Sequence, residues 1–307
     1  MKISEADIAA FAERTGVART DVLRIAVEEA FLRRAAVVNG PFMLKGSYVT
    51  RQQLAEGWRR MPGDLDWVGL GPLDALALTQ WVTAVTETEL DDGVRFRSFS
   101  ENAFWRSIDY AMDDDFPTVN TDLVAWVGEQ LHEINGMDVS FGLTLQPPPR
   151  PLAYQPAFGP SFVLPSSCAL ELQLAWKLHQ CLVRPRFKDM LDLMLVLREN
   201  EVQSVLIWNA MEDECRDGTP IARFNWLLDC TIGQHPHWRS IGRGAHSAAE
   251  YFWIWRNSPK GKGDNYHAEL VLSDIFIDSG NVPSTFDGFL AELAALLKRA
   301  GFLTVRA

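Results

Sequence analysis

Apolar positions in the first forty residues recur with helical rather than strand spacing. Ser4 and Asp7 stand three apart ahead of Ala9, Phe11 and Ala12, the pattern of a capping box. Gly16 closes that short helix. Thr20-Asp21 then predicts an N-cap, and Val22, Ile25, Ala26, Ala30 and Phe31 trace one apolar stripe along a longer helix. Two helices with a tight turn admit a helix-turn-helix DNA reader, or a pair packed on the main domain. The reader would need exposed base-reading side chains on its second helix. The packed pair is the expectation.

The pattern then changes. Pro41 to Leu44 is an apolar run that ends in Lys45-Gly46-Ser47. Tyr48 to Trp58 reads as a helix, Leu65 to Leu70 as a strand, and Asp74 to Thr88 as a helix with Leu76, Leu78 and Val82 apolar. Asp91-Asp92-Gly93 is a turn, and Val94 to Phe99 alternates as a half-buried strand. Thr121 to Val127 is a further strand. Met137 to Phe141 alternates too, and sets Asp138 on the opposite face from Met137 and Val139. Pro147 to Pro151 is a stiff connection. Beyond it, Ala169 to Leu182 and Phe187 to Arg198 are helices separated by Arg184-Pro185-Arg186. A Trp-rich helical stretch, a basic loop Pro259 to Gly263, a strand-like Ala268 to Ser273 and a last helix Phe286 to Arg299 complete the chain. Alternating strands and helices predict an α/β (α+β) fold with a mixed sheet. The expected division is an N-terminal domain over 1–150, with its leading helical pair, and a mainly helical domain over 151–307.

Composition narrows the function classes. The chain has 307 residues, 47% hydrophobic and 22% charged, enough for a large core or two. Its 11 tryptophans are expected chiefly in core and interdomain packing, with base stacking or a partner surface as the rival use. A net charge of −11 argues against broad coating of DNA, which relies on Lys and Arg. It leaves room for a local basic groove around Arg243, Lys260 and Lys262. Cys168, Cys181, Cys215 and Cys230 are scattered with no CxxC pair, as in reduced cytoplasmic proteins. Asp113-Asp114-Asp115 reads as a solvated loop, and His235-Pro236-His237 with His246 lacks the spacing of a metal set. The start of the chain lacks an apolar signal region, and no apolar run is long enough for a bilayer. A cytoplasmic protein with no membrane association is expected.

Candidate chemistry lies in Asp64-Leu65-Asp66. On a strand, Asp64 and Asp66 project to one face while Leu65 turns inward. Two like charges on one face are tolerable around a divalent cation, and Mg²⁺ is typically held by one or two carboxylates plus substrate phosphates. Gly46 and Ser47 offer backbone N–H groups and a hydroxyl to phosphate oxygens. Asp138 is a third acidic strand position. Three carboxylates can serve a metal pair that promotes in-line displacement, and the third can act as base. Arg186 and Lys188 stand at a helix start, where the dipole favours negative charge, which hints at ligand duty. Lys188 and Asp192, at i and i+4, also read as a simple helix ion pair.

The order Leu44-Lys45-Gly46-Ser47, Asp64-Leu65-Asp66, Lys177-Leu178, then Arg186-x-Lys188-Asp189-x-x-Asp192 resembles the AbiEii/AbiGii-type nucleotidyltransferase toxins, relatives of the MenT toxins. The likeness covers about residues 5–198. Lys45 stands where many members carry a second glycine. The resemblance implies a polymerase-β-like nucleotidyltransferase fold: a small mixed sheet, flanking helices and a largely helical C-terminal part. It implies a toxin of an abortive-infection toxin–antitoxin system, one that moves a nucleoside monophosphate from an NTP with Mg²⁺ (or Mn²⁺). Related toxins can use the 3′ end of tRNA as acceptor, and a cognate antitoxin is the implied partner. Carried over, Gly46 and Ser47 grip the triphosphate, Asp64 and Asp66 hold metal with Asp138 as third carboxylate, and Lys177 reaches toward phosphate. Arg186, Lys188 and Asp189 form the last motif, with Lys188 on the nucleotide and Asp189 supporting or transferring a proton. Two other readings compete: a small-molecule nucleotidyltransferase, its pocket walled by the Trp-rich half, and a non-catalytic interaction protein on the same scaffold.

Overall fold

The computed structural model describes residues 2–55, 61–108, 116–215, 220–240, 246–259, 272 and 279–304. Two compact units emerge. The first comprises Met1–Gln52, Pro62–Leu143 and Pro148–Cys168, and the second Gln53–Met61, Thr144–Pro147 and Ala169–Ala307.

The first unit begins with α1 (Glu5–Thr15) and α2 (Arg19–Val38). The capping box forms as expected: Asp7 N–H donates to Ser4 Oγ at 3.2 Å, and Ser4 N–H donates to the Asp7 carboxylate at 2.9 Å. Gly16 ends α1 with φ of 71°, a left-handed conformation that glycine adopts without strain. Thr20-Asp21 is not the cap of α2. The helix starts at Arg19 after an extended Ala18, with no side-chain cap. Burial in place of a cap holds α2: Val22, Ile25, Ala26, Val27, Ala30, Phe31 and Leu32 are all buried. It packs on the sheet and on α4 (Ala75–Glu87), so it is no exposed DNA-reading helix.

Among the described residues the sheet has eight strands: β1 (Phe42–Lys45), β2 (Leu65–Gly69), β3 (Val94–Phe96), β4 (Arg106–Ile108), β5 (Thr118–Val127), β6 (Gln130–Ser140), β7 (Arg150–Tyr154) and β8 (Phe162–Ser167). Their order is β3-β5-β6-β2-β1-β8-β7, with β4 also on β5. β2–β6 and β1–β8 are parallel and the other pairs antiparallel, a mixed sheet. The β7–β8 hairpin carries this unit past residue 150, to Cys168. Between β1 and β2, the expected helix from Tyr48 shrinks to α3 (Ser47–Thr50) and a 3₁₀ turn, Arg51–Gln53. β-branched Val49 and Thr50 are weak helix formers, and Thr50 Oγ1 donates to Gly46 O at 3.1 Å. Residues 56–60, the end of that expected helix, lie outside the described residues, as does Asp113-Asp114-Asp115.

One face of the sheet meets α2 and α4 through aromatic rings. Phe31 meets Trp67, Trp81 and Phe96 edge-on at 6.3, 6.1 and 6.0 Å between centroids, and Phe42 stacks on Trp81 at 4.4 Å. Arg34, 1% exposed, crosses this core with both Asp92 oxygens as partners at 2.6 and 3.0 Å.

The second unit is helical where described. It holds α5 (Leu170–Val183), α6 (Phe187–Glu199), α7 (Ser204–Glu214), α8 (Asn225–Leu228), α9 (His237–Ser240), α10 (Ala248–Asn257) and α11 (Phe286–Arg299). From Phe187 to Leu197 every residue of α6 except Lys188 is buried, so α6 runs through this core. Phe187, Trp238, Phe252, Trp255 and Phe289 form its aromatic centre. Tryptophans thus fill both cores, while Trp253 is 65% exposed. Trp58, Arg243, Lys260 and Lys262 lie outside the described residues, and so does the expected strand 268–273 apart from Leu272. The four cysteines are free thiols. Among the described residues, no helix is long and apolar enough to cross a membrane.

Candidate functional site

Strand register builds a row of polar side chains across the sheet face turned away from Trp67 and Leu65. Lys45 on β1 pairs with Asp66 on β2, and Asp66 pairs with Asp138 on the parallel strand β6. Asp138 in turn faces Asn120 on β5, and Asn120 faces Arg106 on β4. Cross-strand partners project to the same side, so these five residues lie in one line. Contacts bear this out. Lys45 Nζ is 3.7 Å from Asp66 Oδ1, and Asn120 Nδ2 donates to Asp138 Oδ1. Arg106 donates from Nε to Asn120 Oδ1 at 3.0 Å and from Nη1 to Asp122 Oδ2 at 2.9 Å. A register shift between Thr121 and Asp122 lies two residues from Asn120, and Gly136 there has φ of 96°.

Gly46 follows β1 directly, with φ of 76°. A Cβ at that position would stand 2.1 Å from Asp66 Oδ2, so only glycine lets the carboxylate lie against this turn. Ser47 is 6% exposed, and its hydroxyl is buried without a hydrogen-bond partner. A buried hydroxyl of this kind calls for a partner supplied by water or by a ligand. Asp64 is exposed and precedes β2 by one residue. The register therefore joins Asp66 and Asp138 and leaves Asp64 at the margin. Among the described residues, no group of three or more His, Cys, Asp or Glu side chains is arranged to hold a metal. The donor set that does form, two adjacent carboxylates beside a glycine turn, fits a Mg²⁺ that completes its shell with water and phosphate.

Behind this edge, α2 carries a buried polar cluster. Tyr48 Oη donates to Glu28 Oε2, and Arg24 Nη1 lies 3.5 Å from the same oxygen. Arg24 also donates to Pro62 O at 2.7 Å and Gly63 O at 3.2 Å. Burial pushes the Glu28 carboxyl up to about 7, against the pull of Arg24 and of the Tyr48 hydrogen bond; Asp64 and Glu29 push the same way as burial. Glu29 is held beside it by Tyr154 Oη at 3.0 Å and the Ala157 N–H at 2.6 Å.

The remaining predicted residues gather in the helical unit. Lys177 on α5 places Nζ 2.6 Å from Asp192 Oδ2 and 3.3 Å from Asp189 Oδ1. Arg186 Nε donates to Asp189 Oδ2 at 2.5 Å. Asp192 is thus bound to Lys177 across the helix pair. Burial of Asp189 would raise its pKa, yet Arg186, Lys177 and Lys188 together hold it well below the usual carboxylate range. Lys188 is half-buried. His235 is committed internally: its Nδ1 accepts from His237 N–H at 3.0 Å, so Nε2–H donates to Leu182 O at 2.9 Å.

Sequence reasoning missed Asn120, Arg106, Arg24 and Glu28. The signal for the last two was present: Arg24, Glu28 and Glu29 interrupt an otherwise apolar stripe. Asn120 and Arg106 gave none, since only strand register brings them to Asp138.

A mixed sheet flanked by helices, joined in the chain to a helical unit, is the kind of fold found among nucleotidyltransferase toxins. In particular, the structure is similar to MenT4, a nucleotidyltransferase toxin from Mycobacterium tuberculosis H37Rv. The TM-score is 0.52 at 14% sequence identity, over 98% of this chain and 90% of that one. No protein-family model and no curated protein matches the chain. The likeness is one of fold, and the AbiEii/AbiGii resemblance rests on its four motifs.

Proposed function

We propose that this chain is a metal-dependent nucleotidyltransferase of the toxin type, which transfers a nucleoside monophosphate from an NTP to an acceptor. The observation that carries the reading is Asp66 beside Asp138 on adjacent parallel strands, with a turn that only glycine can make against the Asp66 carboxylate. In this reading Asp66 and Asp138 hold Mg²⁺ or Mn²⁺, with Asp64 approaching from the end of β2. The metal supplies neutralisation of the triphosphate and activation of the attacking hydroxyl. Gly46 N–H and the unpartnered Ser47 hydroxyl receive phosphate oxygens. The motif resemblance assigns Lys177, Arg186 and Lys188 to the nucleotide; within the helical unit Lys177 is engaged by Asp189 and Asp192. Asp189, held strongly ionised, suits support of those cations rather than proton transfer, since an effective base has a pKa near the working pH. The acceptor is an RNA, with the 3′ end of tRNA as the first candidate, and a cognate antitoxin controls the activity. The site of action is the cytoplasm.

Purified protein with α-labelled NTPs, Mg²⁺ and total RNA is expected to label RNA. Asp66→Asn should lower the rate about 10³-fold, because metal-ion stabilisation is worth several kcal/mol. A small, soluble labelled product would replace the RNA acceptor by a small molecule. Absence of both transfer and Mg²⁺-dependent NTP binding would leave a non-catalytic scaffold.

A further inference from the structure

The two segments of the proposed site leave the sheet at the same place. The β1–β2 ladder ends at Lys45↔Asp66, and the β2–β6 ladder begins at Leu65↔Met137. Ser47 and Asp64 therefore lie just past the last backbone pairs, where no ladder sets their positions. A polar relay from α2 takes over at that point. Tyr48, next to Ser47, donates to Glu28, and Arg24, beside Glu28, donates to the carbonyls of Pro62 and Gly63, next to Asp64. Tyr48 and Glu28 are 0% and 2% exposed, so their bond sits in a dry interior where it is strong, while the Arg24 end of the relay is half-buried and reaches the surface at Gly63. Arg24 works through the chain around the site. Its reach is through backbone carbonyls on one side and through Glu28 and Tyr48 on the other.

We propose that Arg24 is a positioning residue for the metal and phosphate site: with Glu28 and Tyr48 it fixes the Ser47 turn and the Asp64 approach relative to each other. This rests on the nucleotidyltransferase reading above. Residues that orient metal ligands without binding metal typically change affinity by about 10- to 100-fold when removed. Both carbonyl bonds come from Arg24 Nη1, the same nitrogen that stands nearest Glu28, and a lysine ammonium on a shorter stem reproduces that reach only in part.

The test measures Mn²⁺ binding to the full chain by electron paramagnetic resonance and, separately, transfer rate against Mn²⁺ concentration. Arg24→Met should weaken Mn²⁺ binding at least about tenfold. Transfer at saturating Mn²⁺ should recover to within a few-fold of the parent, an affinity-against-rate split. Arg24→Lys should regain part of the affinity, and Tyr48→Phe should fall between. A variant that is merely less stable would instead lose active fraction at every Mn²⁺ concentration with an unchanged midpoint, which overturns the proposal. If the parent protein neither binds Mn²⁺ nor transfers nucleotide, the functional reading fails. Amide hydrogen exchange then decides the rest: Arg24→Met must speed exchange at residues 63–66 about tenfold, while unaltered exchange there discards the relay.

Discussion

Each unit buries a pair of carboxylates, and the two pairs are held in opposite ways. In the sheet unit, Glu28 and Glu29 stand side by side on α2, 2% and 3% exposed. Their closest donors are mainly neutral: Tyr48, Tyr154 and a backbone N–H. The guanidinium groups of Arg24 and Arg51 stay 3.5 Å away. Burial wins there, and both carboxyls titrate above their ordinary value. In the helical unit, Asp189 and Asp192 are equally buried, but Lys177 and Arg186 touch them at 2.5 to 3.3 Å. Cations win there, and Asp189 stays ionised. Neutral hydroxyls satisfy a carboxylate's lone pairs without balancing its charge. The first pair is therefore a proton store, and the second an ion network.

The largest effect is expected from breaking the ion network. Lys177→Met removes the ammonium that bonds both aspartates and should cost about 3–5 kcal/mol, the usual loss when one partner of a buried pair is deleted. Urea denaturation, with near-ultraviolet signals from the tryptophans of the helical core, would read it. The double variant Lys177→Met/Asp192→Asn should recover much of the loss, because the stranded charge goes too. A single-variant cost below about 1 kcal/mol would show that the network adds little to α5–α6 packing.

Acidity separates the pairs next. Glu28 has a folded-state pKa near 7 against about 4.5 unfolded, so the folded state binds more protons between those values. Stability of the sheet unit should then fall as pH rises from about 4.5 to 7, by at most about 3 kcal/mol. Glu28→Gln should flatten that slope and stabilise the unit above pH 7. Asp189 behaves in the opposite sense. Its contribution is complete above its unfolded value near 4 and is lost as pH falls below it. Amide exchange resolved by unit over pH 3 to 8 would check both signs. A sheet unit that gains stability toward pH 7 would refute the proton-store picture.

This contrast also shows what could be read from sequence. Local features were legible: the Ser4–Asp7 capping box, the helix beginning at Asp74 and the whole of α11 follow from spacing alone. The Asp66–Asp138 pair was reachable as well, since alternation places each on the outer face of its own strand. What was not legible is contact at a distance. Lys177 and Asp192 lie fifteen apart on different helices. Spacing offered Lys188 as the i+4 neighbour of Asp192, while the bond to Lys177 appears only once the two helices pack and Asp192 turns inward. Asp64 shows the limit of periodicity: alternation equates it with Asp66, but the strand starts one residue later. Glu28 and Glu29 sat inside a stripe read by its apolar members alone, so the two buried acids went unremarked.

The smallest effect sharpens the claim that neutral donors satisfy without compensating. Tyr154 Oη donates to Glu29 Oε1 at 3.0 Å, and its ring stacks on Phe162 at 5.0 Å. Tyr154→Phe keeps the ring and removes only the hydroxyl. The loss should be near 1 kcal/mol, the net value of one buried hydrogen bond. It should not approach the cost of an abandoned charge, because Glu29 answers by keeping its proton to a still higher pH. The hydroxyl bond favours the ionised form, so its removal moves the carboxyl further in the direction burial already pushes it. The loss in Tyr154→Phe should therefore be smaller at pH 5 than at pH 8, a difference that paired melts at the two pH values would detect. Equal losses at both would mean that Glu29 is ionised throughout, held by Arg51 alone, and that the two buried pairs differ less than their geometry implies.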